Sequence, residues 1–201
     1  MAVSYPELRR ELIAAARQLT EIGILSGMEG NISVRVPEKE HMIISQAGVK
    51  SMQLTLENLV VVDFDGNLLE GSGTPSSGVP MHAMAYRLRP EAGAVVHTHS
   101  TYATSFAVAG REIPFALEAM EIVGAAAPVT SKYAPLGTAE LAREVGAAMT
   151  KAWAVLLRNH GVLAMGKDLK HATKVCYALE TTAQIVSAAN GLGRVTLIQA
   201  E

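Results

Sequence analysis

The chain has 201 residues, of which 49% are hydrophobic and 18% charged, with a net charge of −2. That is enough apolar residue to bury a core and too much for a disordered segment, and the length suits one domain, 1–201. No basic cluster occurs, so the electrostatic footprint of a nucleic-acid binder is missing. Apolar runs such as Ile122 to Val129 are too short to span a bilayer. With one cysteine, Cys176, and no signal-peptide pattern at the start, the expected setting is the cytoplasm, without membrane partners.

In chain order, Ser4-Tyr5-Pro6-Glu7 reads as a capping box. It opens a helix whose stripe is Leu8, Leu12, Ala15, Ala16 and Leu19, and Gly23 can end it. Asn31 to Val36 alternates polar and apolar residues, the pattern of a half-buried strand, and Met42 to Ser45 is a second short strand. Leu59 to Phe64 is a third, followed by the hairpin signal Asp65-Gly66-Asn67. Pro80 to Leu88 predicts a short helix, Ala94 to His99 a strand, and Thr101 to Ala109 another helix. Thr138 caps a helix running to about Thr150. Val155–Leu157 and Val162–Met165 are strands joined through Arg158-Asn159-His160-Gly161. The last helix starts at Asp168, buries Ala172, Val175, Cys176, Leu179, Ala183 and Val186, and takes Gly191 as its terminal cap. Strands and helices mix without a regular βαβ beat, which predicts an α/β protein with a mixed, largely antiparallel sheet covered by helices.

Chemistry concentrates at "GAVVHTHS". In a strand, residues two apart share a face, so His97 and His99 present two imidazoles side by side. His160, in "LLRNHGVLAMG", sits where a turn carries it to the mouth of a sheet. Three imidazoles are the ligand type zinc prefers and leave a coordination position open for substrate. Two histidines at this spacing also occur in ordinary strands with no metal. Of the rest, His41 and His171 have charged neighbours and read as solvated, and His82 reads as a packing or supporting residue.

No P-loop or dinucleotide fingerprint occurs. Gly30-Asn31, Gln46-Ala47-Gly48 and Thr74-Pro75-Ser76-Ser77 are small and donor-rich. Taken alone they are ordinary turns and caps, but backbone amides beside glycine, with Ser and Asn side chains, can also cradle a phosphate. Ser76 and Ser77 stand just before a short helix, whose N-terminus favours an anion.

The segments "EGNISVR", "ISQAGV", "TPSSGVPMHAMAYRLRPEAGAVVHTHS" and "LLRNHGVLAMG", in this order, resemble the class II aldolase and adducin-head family over nearly the whole chain. The resemblance implies a three-layer α/β/α sandwich and a cyclic homotetramer with active sites at subunit interfaces. It implies Zn2+, or another divalent metal, on His97, His99 and His160, and a phosphorylated sugar held by Gly30, Asn31, Gly48, Ser76 and Ser77. The implied activity is retro-aldol cleavage of a ketose 1-phosphate to dihydroxyacetone phosphate and an aldehyde. The family's dehydratase chemistry and a non-catalytic, adducin-like binding module are the alternatives.

The chain departs from the family pattern at three places. Met28 and Ala47 stand where fuculose-phosphate aldolases carry hydroxyl residues. Gly78 stands where the aldolases have a Glu that closes the metal shell and moves the proton. Glycine can do neither, and loss of a positioned acid/base costs on the order of 10²–10⁴ in rate. The substitute expected is Glu118, near the position of the family's acid tyrosine and one place from a catalytic Glu of the dehydratases. Glu121 and then Tyr133 follow it. Each of the two glutamates is equally compatible with a solvated surface role.

Overall fold

The computed structural model describes residues 3–27 and 29–198. Seven strands form one sheet in the order β4-β3-β2-β1-β5-β7-β6. They are β1 (Asn31–Arg35), β2 (His41–Ser45), β3 (Leu59–Asp63), β4 (Leu68–Glu70), β5 (Ala94–Thr98), β6 (Ala154–Leu157) and β7 (Gly161–Gly166). All six strand pairings are antiparallel. The only parallel pairing among the described residues is an isolated bridge between Val129 and Leu156.

Helices cover both faces, giving the expected three-layer sandwich. On one side α1 (Pro6–Glu21), α3 (Thr101–Ala109) and α5 (Leu169–Leu192) pack on Ile32, Val34, Ile43, Val61, Val96, Leu156 and Ala164. On the other, α2 (Val79–Leu88) and α4 (Ala139–Ala148) pack on Met42, Ile44, Val60, Val62, Val95, Leu157 and Leu163. Alternate residues of one strand feed opposite cores, so central strands read as continuous apolar runs. Strand β3, Leu-Val-Val-Val-Asp, is the clearest case, with its first four residues buried.

Burial on both faces corrects the reading of β1 as half-buried. Its polar residues Asn31 and Ser33 are as enclosed as its apolar ones. Ser33 survives there because its Oγ bonds His82 Nδ1 at 2.7 Å and the Tyr86 hydroxyl at 2.8 Å. The capping box at Ser4 does not form either. Tyr5 is the N-cap residue, in a left-handed conformation with no side-chain cap. Ser4 instead gives its N–H and hydroxyl to the Glu70 carboxylate, which also takes the buried Arg9 guanidinium. A long-range ion pair has outcompeted the local cap.

At the other end of the chain, α5 runs through Gly191 and is capped by Gly193 at φ 145°. His171 is not simply solvated. Its Nδ1 accepts from Lys167 N–H at 3.1 Å and its ring packs edge-on against Trp153. The caps at Thr138 and Asp168 do form, each oxygen accepting a backbone N–H three residues on. The hairpin at Asp65-Gly66-Asn67 also forms, with strand β4 as its short second arm. Among the described residues no helix is long and apolar enough to cross a membrane.

Candidate active site

The site lies where β1 and β5 meet. Residue Asn31 pairs with His97 across these strands, and His97 pairs with Leu163 of β7 on its other side. Register alone therefore places His97 at the edge of the α2/α4 core, 1% exposed. His99 follows one residue beyond the end of β5. His160 arrives on the turn between β6 and β7, where Asn159 takes φ 54° and His160 N–H bonds the Leu157 carbonyl at 3.0 Å.

Gly161 makes this convergence possible. A Cβ there would lie 2.5 Å from the Thr98 carbonyl oxygen and 2.7 Å from His99 Cδ2. Any larger residue would push the His160 turn away from the other two rings. The sequence signal for this requirement is the pair His160-Gly161 itself.

One ligand atom from each of His97, His99 and His160 lies within 4.8 Å of the other two. The rings stand edge to face, with centroids 4.7–5.1 Å apart. The Nε2 atoms of His97 and His99 are 3.0 Å apart. In a tetrahedral zinc site with Zn–N bonds of about 2.0–2.1 Å, two nitrogens sit about 3.3 Å apart. The donor set thus fits a divalent metal with little adjustment.

Burial and mutual repulsion keep His97 and His160 neutral, the form that binds metal. Burial, then the neighbouring rings of His160 and His99, holds His97 well below the usual histidine range. Burial, with His99 beside it, brings His160 down to about 4. The Nδ1 of His97 contacts the Val162 carbonyl at 2.9 Å, so its proton belongs there and Nε2 is left for the metal.

A cavity of about 230 Å³ opens beside the rings. Gly30, Asn31, Gly48, Ser76 and Ser77, separate in sequence, all line it together with His97 and His99. Gly30 permits this at φ 81°, since a Cβ would meet the His97 carbonyl oxygen at 2.5 Å. Two amides in this region are already committed: Ala47 N–H to Thr74 O and Ser76 N–H to Ser45 O. The Ser76 hydroxyl accepts from Gly78 N–H at 3.2 Å and keeps its own proton to donate. No lysine or arginine lines the cavity among the described residues, and Glu29 is the one carboxylate that does. Met28 lies outside the described residues. Ala47 lines the cavity without a side-chain donor.

Gly78 is the N-cap residue of α2 at φ −72°, ψ −10°, a conformation open to every residue. Its surroundings explain the glycine better than its backbone does. A Cβ would come within 2.5 Å of Asn31 Oδ1 and 2.8 Å of Nδ2. The Asn31 amide thus occupies the room into which a side chain at 78 would grow, and its Oδ1 is buried without a hydrogen-bond partner among the described residues.

The proton-handling candidates lie elsewhere in the chain. Glu118 and Glu121 sit on a 3₁₀ turn, Glu118–Ile122, and line a separate groove of about 840 Å³ with Gln18, Lys174 and Tyr177. Tyr133 is 55% exposed and does not line the histidine cavity. Within one chain, none of the three is brought to the histidines.

The fold is that of class II aldolases. The model of the Class II Aldolase and Adducin N-terminal domain family matches residues 10–187. Over 190 residues the chain is 33% identical to a 5-deoxy-D-ribulose 1-phosphate aldolase of Bacillus thuringiensis, covering 94% of this chain and 89% of that one. It is 38% identical over 177 residues to a 5-methylthioribulose-1-phosphate/5-deoxyribulose-1-phosphate aldolase of Rhodospirillum rubrum, covering 88% and 79%. A solved L-fuculose 1-phosphate aldolase superposes with a TM-score of 0.93 at 33% identity, over 98% of this chain and 92% of that one. The chain belongs to the class II aldolase and adducin N-terminal domain family, as an enzyme of the aldolase, carbon–carbon lyase, type.

Proposed function

We propose that the protein cleaves a ketose 1-phosphate by a retro-aldol reaction, giving dihydroxyacetone phosphate and an aldehyde. The observation that carries this reading is the shared cavity: imidazoles suited to a divalent metal and phosphate-type donors line the same small space. The names of the relatives agree, since fuculose, deoxyribulose and methylthioribulose phosphates are all ketoses phosphorylated at C1.

In this reading His97, His99 and His160 hold zinc or a similar ion, which supplies Lewis-acid stabilisation of the charge that builds on the ketose oxygens. The chain's own residues do the rest. The Ser76 and Ser77 hydroxyls, the Asn31 amide and the backbone at Gly30 and Gly48 hold the phosphate by oriented dipoles, at the mouth of helix α2. Fixing the phosphate fixes C3 and C4 relative to the histidines, so the C3–C4 bond breaks in one orientation. As it breaks, the C4 hydroxyl loses its proton and C3 later gains one.

Gly78 can take neither role, so the proton must pass through another group. Turnover is then expected to be slower than in relatives with a carboxylate at that position. Glu118 fits the task by entering the cavity of a neighbouring subunit, as a cyclic homotetramer with interfacial sites would allow.

The test is a panel of ketose 1-phosphates offered to metal-replete protein. Dihydroxyacetone phosphate should appear, stop with a chelator and return with zinc. Loss of water from a sugar phosphate without carbon–carbon cleavage, abolished by Glu118→Gln, would replace the aldolase reading with the dehydratase one. Failure to act on any sugar phosphate would favour a binding module.

A further inference from the structure

The three histidines are not equally supported from behind. His97 and His99 turn Nε2 inward, toward each other. The outward Nδ1 of His97 has the Val162 carbonyl, a partner fixed by the sheet. Among the described residues the outward Nδ1 of His99 has no backbone carbonyl. What it has is Glu29 Oε2, at 3.5 Å.

We propose that Glu29 is a positioning residue of the metal centre, whose carboxylate takes the Nδ1 proton of His99 in a hydrogen bond and so presents Nε2 to the metal. The proposal rests on the reading of the three histidines as metal ligands. Glu29 is set by its backbone: its N–H bonds the Ser26 carbonyl at 3.0 Å, and the next residue is Gly30, whose close approach to His97 anchors this loop against β5. Its side chain is 64% exposed, so a small rotation closes 3.5 Å to a hydrogen bond without disturbing the core. Among the described residues no cationic side chain lines the cavity to compete for it, and no other carboxylate there could serve His99. A carboxylate behind a ligating histidine fixes the tautomer and raises the ligand's basicity, and losing such a partner typically costs about 10–100-fold in metal affinity. This places a negative group near the metal from residue 29, in a chain that has none at residue 78.

The experiment measures zinc affinity by chelator competition for wild-type protein, Glu29→Ala and Glu29→Gln, alongside ring ¹⁵N NMR of the metal-free forms. Glu29→Ala should bind zinc about 10–100-fold more weakly, and Glu29→Gln, which keeps an acceptor oxygen, should recover part of the loss. In the spectra, His99 should carry its proton on Nδ1 in the wild type and shift toward the Nε2–H form in Glu29→Ala. Wild-type affinity in Glu29→Ala, or a His99 tautomer that does not respond, overturns the proposal. A wild-type protein that takes up no zinc removes the metal centre itself and this proposal with it, a result distinct from failure at residue 29 alone.

Discussion

The two ends of the cavity are built by different means. At the histidine end, strand register and a two-strand turn bring three side chains together, and Gly161 allows them to touch. At the anion end, the one proposed to hold the phosphate, Gly30, Gly48, Ser76 and Ser77 come from three loops. A metal needs particular atoms at a particular distance, and rigid strands supply that. A phosphate needs several weak donors, and loops with few side chains supply that. The contrast predicts that the histidine end tolerates almost no change and the anion end tolerates graded change.

Four variants or conditions probe the contrast, from the largest effect to the smallest. His97→Ala or His160→Ala should lose zinc by more than the roughly 10–100-fold that removing a supporting partner costs, with cleavage lost alongside, as read by metal analysis and steady-state assays. Ser76→Ala should keep the metal but weaken phosphate binding. A hydrogen bond to a charged group contributes about 1.5–3 kcal/mol, so KM for a ketose phosphate should rise about 10-fold or more. An equal loss of zinc in Ser76→Ala would show that the two ends are not separable.

The third probe is pH. Burial brings His82 down to about 3 in the folded protein, against an ordinary value of 6.5. Below about pH 6.5 the unfolded chain binds a proton that the folded one refuses, so stability falls with pH until about pH 3. From pH 8 to pH 5 this one residue should remove about 2 kcal/mol. Denaturant melts of wild type and His82→Asn at both pH values isolate it, and equal pH slopes would contradict the buried, neutral assignment. The fourth is Gly78→Ala, which crowds the Asn31 amide and should destabilise by about 1 kcal/mol, the low end for overpacking. Gly78→Glu faces the same obstacle, so restoring a carboxylate there also requires Asn31 to move. Unchanged stability and KM in Gly78→Ala would mean that Asn31 swings aside freely.

The same contrast explains what could be read from sequence. The histidine doublet was legible because strand periodicity is a local property, and the caps at Thr138 and Asp168 were legible for a similar reason. Features decided by distant partners were not. Ser4 abandons its cap for Glu70, and Ser33 looks solvent-facing until His82 and Tyr86 enclose it. The anion end gave only weak turn signals, since backbone donors leave almost no trace in side-chain identity. Nothing in sequence linked Gly78 to Asn31, forty-seven positions earlier, because their relation is steric and exists only once β1 and α2 are packed.

Whether a divalent ion is held jointly by His97, His99 and His160 is decided most directly by anomalous diffraction at the zinc edge from crystals of the zinc-reconstituted protein. A single strong peak about 2.0–2.1 Å from one nitrogen of each of the three rings is the result predicted. A peak elsewhere, or zinc-loaded crystals with no peak between these rings, would contradict it.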